Sequence, residues 1–263
     1  MRVFKNFGAA FLYFAAYFAV QIIVILGFFA FYAIDIVNTG ITDYASVTNL
    51  IMMRVEKDSI LITAASNLLY VLLVFLFFLV RKKSFFREIG VRKMSLRTAV
   101  ASVSIGAALN ILVSFIMNYI PFPEKWWDAY IESSSSLSED VTVFTVFLAV
   151  VAAPIAEEVL FRGLIFTRMA RGSNLYIAAI ISSIVFGVMH GTIIWTIYTF
   201  VVGVVLVWLF VKTRSLLSPI LAHFAFNGVS FLFTDVNIAM IILSVSITAI
   251  SADYIMRERK TAS

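Results

Sequence analysis

Two adjacent carboxylates and a guanidinium stand inside an apolar stretch, Ala153-Pro154-Ile155-Ala156-Glu157-Glu158-Val159-Leu160-Phe161-Arg162-Gly163. The preceding run from Val141 to Ala152 is built mainly of Val, Phe, Leu and Ala, so the charges fall in the second half of a membrane-spanning helix. An isolated charge at such depth costs at least about 2.5 to 3.5 kcal/mol, so these groups are expected to pair, to face a polar cavity and to mark function. Residues four apart share a helical face, which lets Glu158 and Arg162 form an ion pair and leaves Glu157 about 100° away with no cation of its own. A free carboxylate in a poorly solvated site accepts a proton readily, and Glu157 is the candidate general base. The structural alternative is a buried charge cluster that only locks helix packing.

The chain has two histidines, His190 and His223, and both fall in apolar segments. Phe186 precedes His190 by one helical turn and can buttress its ring. Asn227 follows His223 at the same spacing, so imidazole and carboxamide project together. A carboxylate with an imidazole can orient and deprotonate a water, while a second imidazole and an amide N–H can stabilise the oxyanion of a hydrolysed peptide bond. The competing chemistry is a zinc site held by Glu157, His190 and His223 with one open position. A His-Glu-x-x-His zinc signature is absent, as are the Gly-x-Ser-Gly and Gly-x-Gly-Asp patterns of serine and aspartyl intramembrane proteases. Elimination favours a glutamate and histidine hydrolase, with zinc still open.

These residues fall into three ordered motifs: Glu157-Glu158-Val159-Leu160-Phe161-Arg162, Phe186-Gly187-Val188-Met189-His190 and His223-Phe224-Ala225-Phe226-Asn227. Together they resemble the CPBP or Abi intramembrane proteases, which include the type II CAAX prenyl endopeptidases; the resemblance spans roughly Val141 to Ser230. It implies that Glu157 and His190 activate water, that His223 and Asn227 stabilise the oxyanion, and that Glu158 with Arg162 holds the site together. The implied substrate is a peptide or lipidated protein, cut near the cytoplasmic half of the bilayer.

Composition sets the elements that must position these groups. The 263 residues are 62% hydrophobic and 13% charged, with mean hydropathy +1.01, the profile of a polytopic membrane protein. The formal charge of +5 lies between apolar spans, where it sets orientation, so nucleic acid is not an expected partner and the bilayer is. No cysteine is present, which removes disulfides and thiolate chemistry.

The expected fold is all-α, with about eight transmembrane helices: 8–34, 60–80, 96–120, 141–169, 174–190, 192–211, 216–233 and 236–256. Residues 1–140 form three spans and their loops, 141–233 the catalytic core, and 234–263 the last span and a basic tail. The first span is expected to stay in the mature protein, since it lacks a signal-peptide cleavage pattern. Basic residues at Arg2, Lys5, Arg81 to Arg97, Arg168, Arg171, Lys212, Arg214 and Arg257 to Lys260 alternate with polar or acidic loops at 35–59 and 124–140, which predicts both termini inside a prokaryotic plasma membrane. Phe85, Phe86, Ile89 and Val91 could make the basic loop an interfacial segment, although topology alone also accounts for its charge.

Counting about 1.5 Å per residue from the inner ends, His190 would lie about 24 Å deep and His223 about 10 Å. Straight helices would not bring them together, so a tilt, a re-entrant fifth span or a break near Pro154 or Gly187 is required. The competing functions are a non-catalytic immunity or regulatory partner built on the same scaffold, and a transporter relaying protons. Asn227 argues against the first and the lack of an internal repeat against the second.

Overall fold

The computed structural model describes residues 2–135, 141–232 and 236–261, together with all side chains there except those of Arg2 and 259–261. Glu139, Asp140 and Asp235, expected in outer loops, lie outside the described residues. Every regular element described is helical: α1 (Arg2–Asn38), α2 (Tyr44–Lys57), α3 (Ser59–Val80), α4 (Phe85–Glu88), α5 (Leu96–Tyr119), α6 (Glu124–Ser135), α7 (Val143–Gly172), α8 (Leu175–Val188), α9 (Ile193–Thr213), α10 (Leu217–Val229) and α11 (Ile238–Thr261).

Among the described residues six helices, α1, α3, α5, α7, α9 and α11, are long and apolar enough to cross a membrane. The chain is an integral multi-pass membrane protein. The other two of the eight expected spans correspond to α8 and α10, shorter apolar helices of 14 and 13 residues. At 1.5 Å per residue they reach only about 20 Å, short of a hydrocarbon core of about 30 Å. Both histidine motifs ride on these short helices.

Two further helices, α2 and α6, occupy the loops 35–59 and 124–140. Asp43 caps α2 by accepting from the Ala45 and Ser46 amides, and Ile51 packs against Tyr32 and Ile36 of α1. Tyr130 of α6 meets Trp195 of α9 edge to face, with ring centroids 6.1 Å apart.

The opposite, basic end is stitched shut. Glu88 of α4 bonds Arg168 of α7 at 3.2 Å, the Leu216 amide donates to the Gly90 carbonyl at 3.0 Å, and the Ser215 hydroxyl donates to the Arg92 carbonyl at 2.5 Å. The interfacial reading of this loop is corrected for two of its four apolar residues, because Phe85 and Ile89 are buried in the core while Phe86 faces outward.

Helix α5 lies along α10 with no room for a side chain at Gly106, where a Cβ would stand 1.9 Å from the Ala222 carbonyl oxygen. Small residues allow such approach where lipid supplies no hydrophobic force, and the Ser102 and Ser218 hydroxyls bond across the same seam at 2.7 Å.

The motif helix α7 is not uniformly α-helical. From Leu148 to Ala152, and again from Val159 to Phe166, it opens into π-helical turns that flank the two glutamates. In the first, the Ala153 amide reaches back five residues to the Leu148 carbonyl. The next amide would come from Pro154, which has none. The Ala149 carbonyl is therefore left without a backbone donor, at the depth of the candidate site.

Candidate active site

Glu158 and Arg162 form the buried foundation of the site. Their side chains are 0% and 1% exposed, and Arg162 Nη1 donates to Glu158 Oε1 at 2.7 Å, the pairing expected from their spacing. The rest of the guanidinium is placed by α9 and α8. Nη2 donates to the Gly203 carbonyl at 3.1 Å, and the guanidinium carbon lies 4.4 Å from the Phe186 ring centroid, in cation–π contact. Gly203 permits this approach, since a Cβ there would press on Ser183 and Phe186 at 3.1 to 3.2 Å.

The imidazoles are anchored through Nδ1. His223 Nδ1 is 3.0 Å from Glu158 Oε1, and His190 Nδ1 is 2.8 Å from the Phe186 carbonyl. A carbonyl oxygen only accepts, so His190 Nδ1 carries a hydrogen; beside a carboxylate already paired with Arg162, His223 Nδ1 does too. Both rings then turn Nε2 away from their anchors. His223 Nε2 lies 3.7 Å from Glu157 Oε2, too long for a direct hydrogen bond and suited to a shared water or substrate oxygen. Phe186 stands between the rings, 4.8 Å from His190 and 5.9 Å from His223 by centroids, in T-shaped contact with both. The sequence reading made it a buttress for His190 alone; here it also touches His223 and Arg162.

Local structure explains how His190 comes to face the others. Helix α8 ends at Val188, just past Gly187, and Thr192 caps α9 through the Trp195 amide, so His190 lies in the turn between them. Gly191 adopts φ +88, a left-handed conformation that glycine takes without strain. Phe186 touches both imidazoles, so the separation in depth that straight, upright spans would impose is not present.

Glu157, Phe186, His190, His223 and Asn227 line one cavity of about 400 Å³. Glu158 and Arg162 stand behind its wall. The cavity also meets Ser59 and Thr63 at the start of α3 and Trp195 at the start of α9, so it extends from the middle of the bundle toward the end opposite the basic loops. The sequence reading placed the chemistry near the basic, cytoplasmic half, and the cavity runs the other way.

Asn227 has a second duty that its spacing did not reveal. Its Nδ2 donates to the Ala149 carbonyl at 2.9 Å, the acceptor that Pro154 leaves unserved. One of its two N–H groups is thus committed to α7, and the other remains for the cavity. Asn227→Ala is expected to strand that carbonyl and to lower stability by about 1 to 3 kcal/mol, read as a drop in thermal midpoint of the purified protein. An unchanged midpoint would show that the bond is dispensable for the fold.

Among the described residues no group of three His, Asp or Glu side chains is arranged to hold a metal ion. The zinc set Glu157, His190 and His223 does not fit as the side chains stand.

Residues 139–229 match the family model of the type II CAAX prenyl endopeptidases, Rce1-like, a stretch that contains all three motifs. A curated protein of Bacillus subtilis (strain 168) named "Putative membrane peptidase YdiL" is 29% identical over 82 residues, or 31% of this chain. The match covers 34% of that relative's length. No solved structure matches the chain.

Proposed function

We propose that the chain is an intramembrane endopeptidase of a prokaryotic plasma membrane, acting on a peptide or on a peptide segment of a larger protein through a water held by Glu157 and His190. The observation that carries this reading is the relay Arg162–Glu158–His223–Glu157, in which one carboxylate is spent on holding an imidazole and its neighbour is left toward the cavity.

Water between Glu157 and the lone pair of His190 Nε2 attacks the scissile carbonyl carbon, and its proton passes to the Glu157 carboxylate. The oxyanion is received by His223 and Asn227. His223 holds Nδ1 against Glu158 and turns Nε2 toward Glu157 and the cavity, where an N–H faces the developing oxyanion. Asn227 offers its second amide hydrogen. The tetrahedral intermediate collapses with cleavage of the C–N bond, and the proton on Glu157 goes to the leaving amine. Among the described residues no carboxylate stands at hydrogen-bond distance from His190, and with Nδ1 on the Phe186 carbonyl its Nε2 suits the accepting role.

The reading is tested with purified protein in detergent and a quenched-fluorescent peptide library, with and without exhaustive chelation. Cleavage that persists in chelator, and a fall of about 10²- to 10³-fold in turnover for His223→Ala, are the expected results. Cleavage lost in chelator and restored by zinc would assign a metal to the site instead. The absence of cleavage under every condition, from folded protein, would remove the peptidase reading.

A further inference from the structure

We infer that the cavity opens on the extracytoplasmic side of the membrane, so that the substrate is a peptide segment presented outside the cytoplasm rather than the lipidated tail of a cytoplasmic protein. The inference rests on the peptidase reading for what the cavity does, and on geometry and charge for where it opens.

The two ends of the bundle differ in basic charge. At one end lie seven Lys and Arg residues between Arg81 and Arg97, with Arg168, Arg171, Lys212 and Arg214, eleven in all. At the other end, residues 35–58, 124–135 and 189–192 contain three: Arg54, Lys57 and Lys125. Loops rich in Lys and Arg stay in the cytoplasm, and a bias of this size in loops close to the helix ends sets orientation.

The same two ends differ in access. At the basic end Glu88 with Arg168, Gly90 with Leu216 and Arg92 with Ser215 tie α4, α7, α9 and α10 together below the glutamates. At the other end the cavity meets Ser59 and Thr63, in the first turns of α3, and Trp195, in the first turn of α9; Thr63 is exposed. The short α8 has the same consequence, for it stops at Val188 and leaves His190 in a turn beside that opening. A cytoplasmic peptide would have to pass the closed end and the Glu158–Arg162 pair before reaching Glu157. An extracytoplasmic one meets the cavity first.

The chain has no cysteine, so a single introduced thiol reports its own position. Thr63→Cys places a thiol in the cavity wall, and Ser84→Cys places one in the exposed basic loop. Both are treated with a membrane-impermeant maleimide, on intact cells, on permeabilised cells and in detergent. The expected result is labelling of Thr63→Cys on intact cells and of Ser84→Cys only after permeabilisation. Labelling of Thr63→Cys only after permeabilisation, or its failure to react even in folded, detergent-solubilised protein, would overturn the inference. Sidedness is read equally well in a Glu157→Gln background, so a failed orientation and a failed peptidase reading are told apart: the first shows in labelling, the second in loss of cleavage in detergent, where both faces are open.

Discussion

Glu157→Gln is expected to lower turnover by about 10²- to 10⁴-fold while leaving expression, thermal midpoint and peptide binding close to wild type. The carboxylate lies on the cavity wall, partly exposed, and His223 Nε2 stands 3.7 Å away, beyond direct hydrogen-bond distance, so the change breaks no close buried contact. The amide keeps the volume and loses only the ability to take a proton, which is the contribution of a general base. Single-turnover cleavage of a quenched peptide separates the chemical step from binding. Retention of even a tenth of wild-type turnover by Glu157→Gln would transfer the base to another group, with His190 the first to examine.

Glu158→Ala is expected to fail differently, by misfolding. It removes the acceptor of both Arg162 Nη1 and His223 Nδ1 from a place where the side chains are almost completely enclosed. A stranded buried charge costs about 3 to 5 kcal/mol, a large part of the stability of an ordinary domain. Low abundance in the membrane and a strongly lowered thermal midpoint are the measurements. The paired change Glu158→Leu with Arg162→Met should recover much of the lost stability, because apolar groups of similar volume often replace a buried pair at little cost, and it should remain inactive because His223 has lost its anchor. Recovery of activity in the double variant would show that the anchor is not needed for the chemistry.

The candidate site residues that the structure brings around one cavity were legible in the sequence because charge and imidazole are so costly in an apolar span that few explanations survive. The Glu158–Arg162 pair followed from spacing alone. The helices α2 and α6 were not legible, since their polar composition reads as loop when only membrane-length apolar runs are sought, and the α2 cap at Asp43 is a local signal that such a search passes over. The shortness of α8 and α10 was hidden for the opposite reason: turn residues such as Met189 and Leu216 are as apolar as the helices they follow or precede. The anchoring of Arg162 on the Gly203 carbonyl and of Asn227 on the Ala149 carbonyl involves backbone atoms, which carry no residue-type signature. The inward turn of Phe85 and Ile89 in a loop of strong positive charge was masked by that charge.

The widened turns on either side of the glutamates make chain length a variable of the site in its own right. A π-helical turn holds one residue more than the α-helical turn it replaces, and it persists where a side chain serves the backbone carbonyl that the widened turn frees. For residues 148–152 the Asn227 amide serves the Ala149 carbonyl; for residues 159–166, the Thr167 hydroxyl donates to the Arg162 carbonyl at 2.8 Å. Side-chain substitutions leave this surplus in place. Removing one residue between Leu148 and Ala152 would instead let that turn close to ordinary pitch and swing everything before it around the axis, carrying the Ala149 acceptor off Asn227 while Glu157, Glu158 and Arg162 keep their mutual register. The helix thus carries two independent settings, one that aims the carboxylates and one that aims the backbone facing them, and the segment 153–158 is the joint between them.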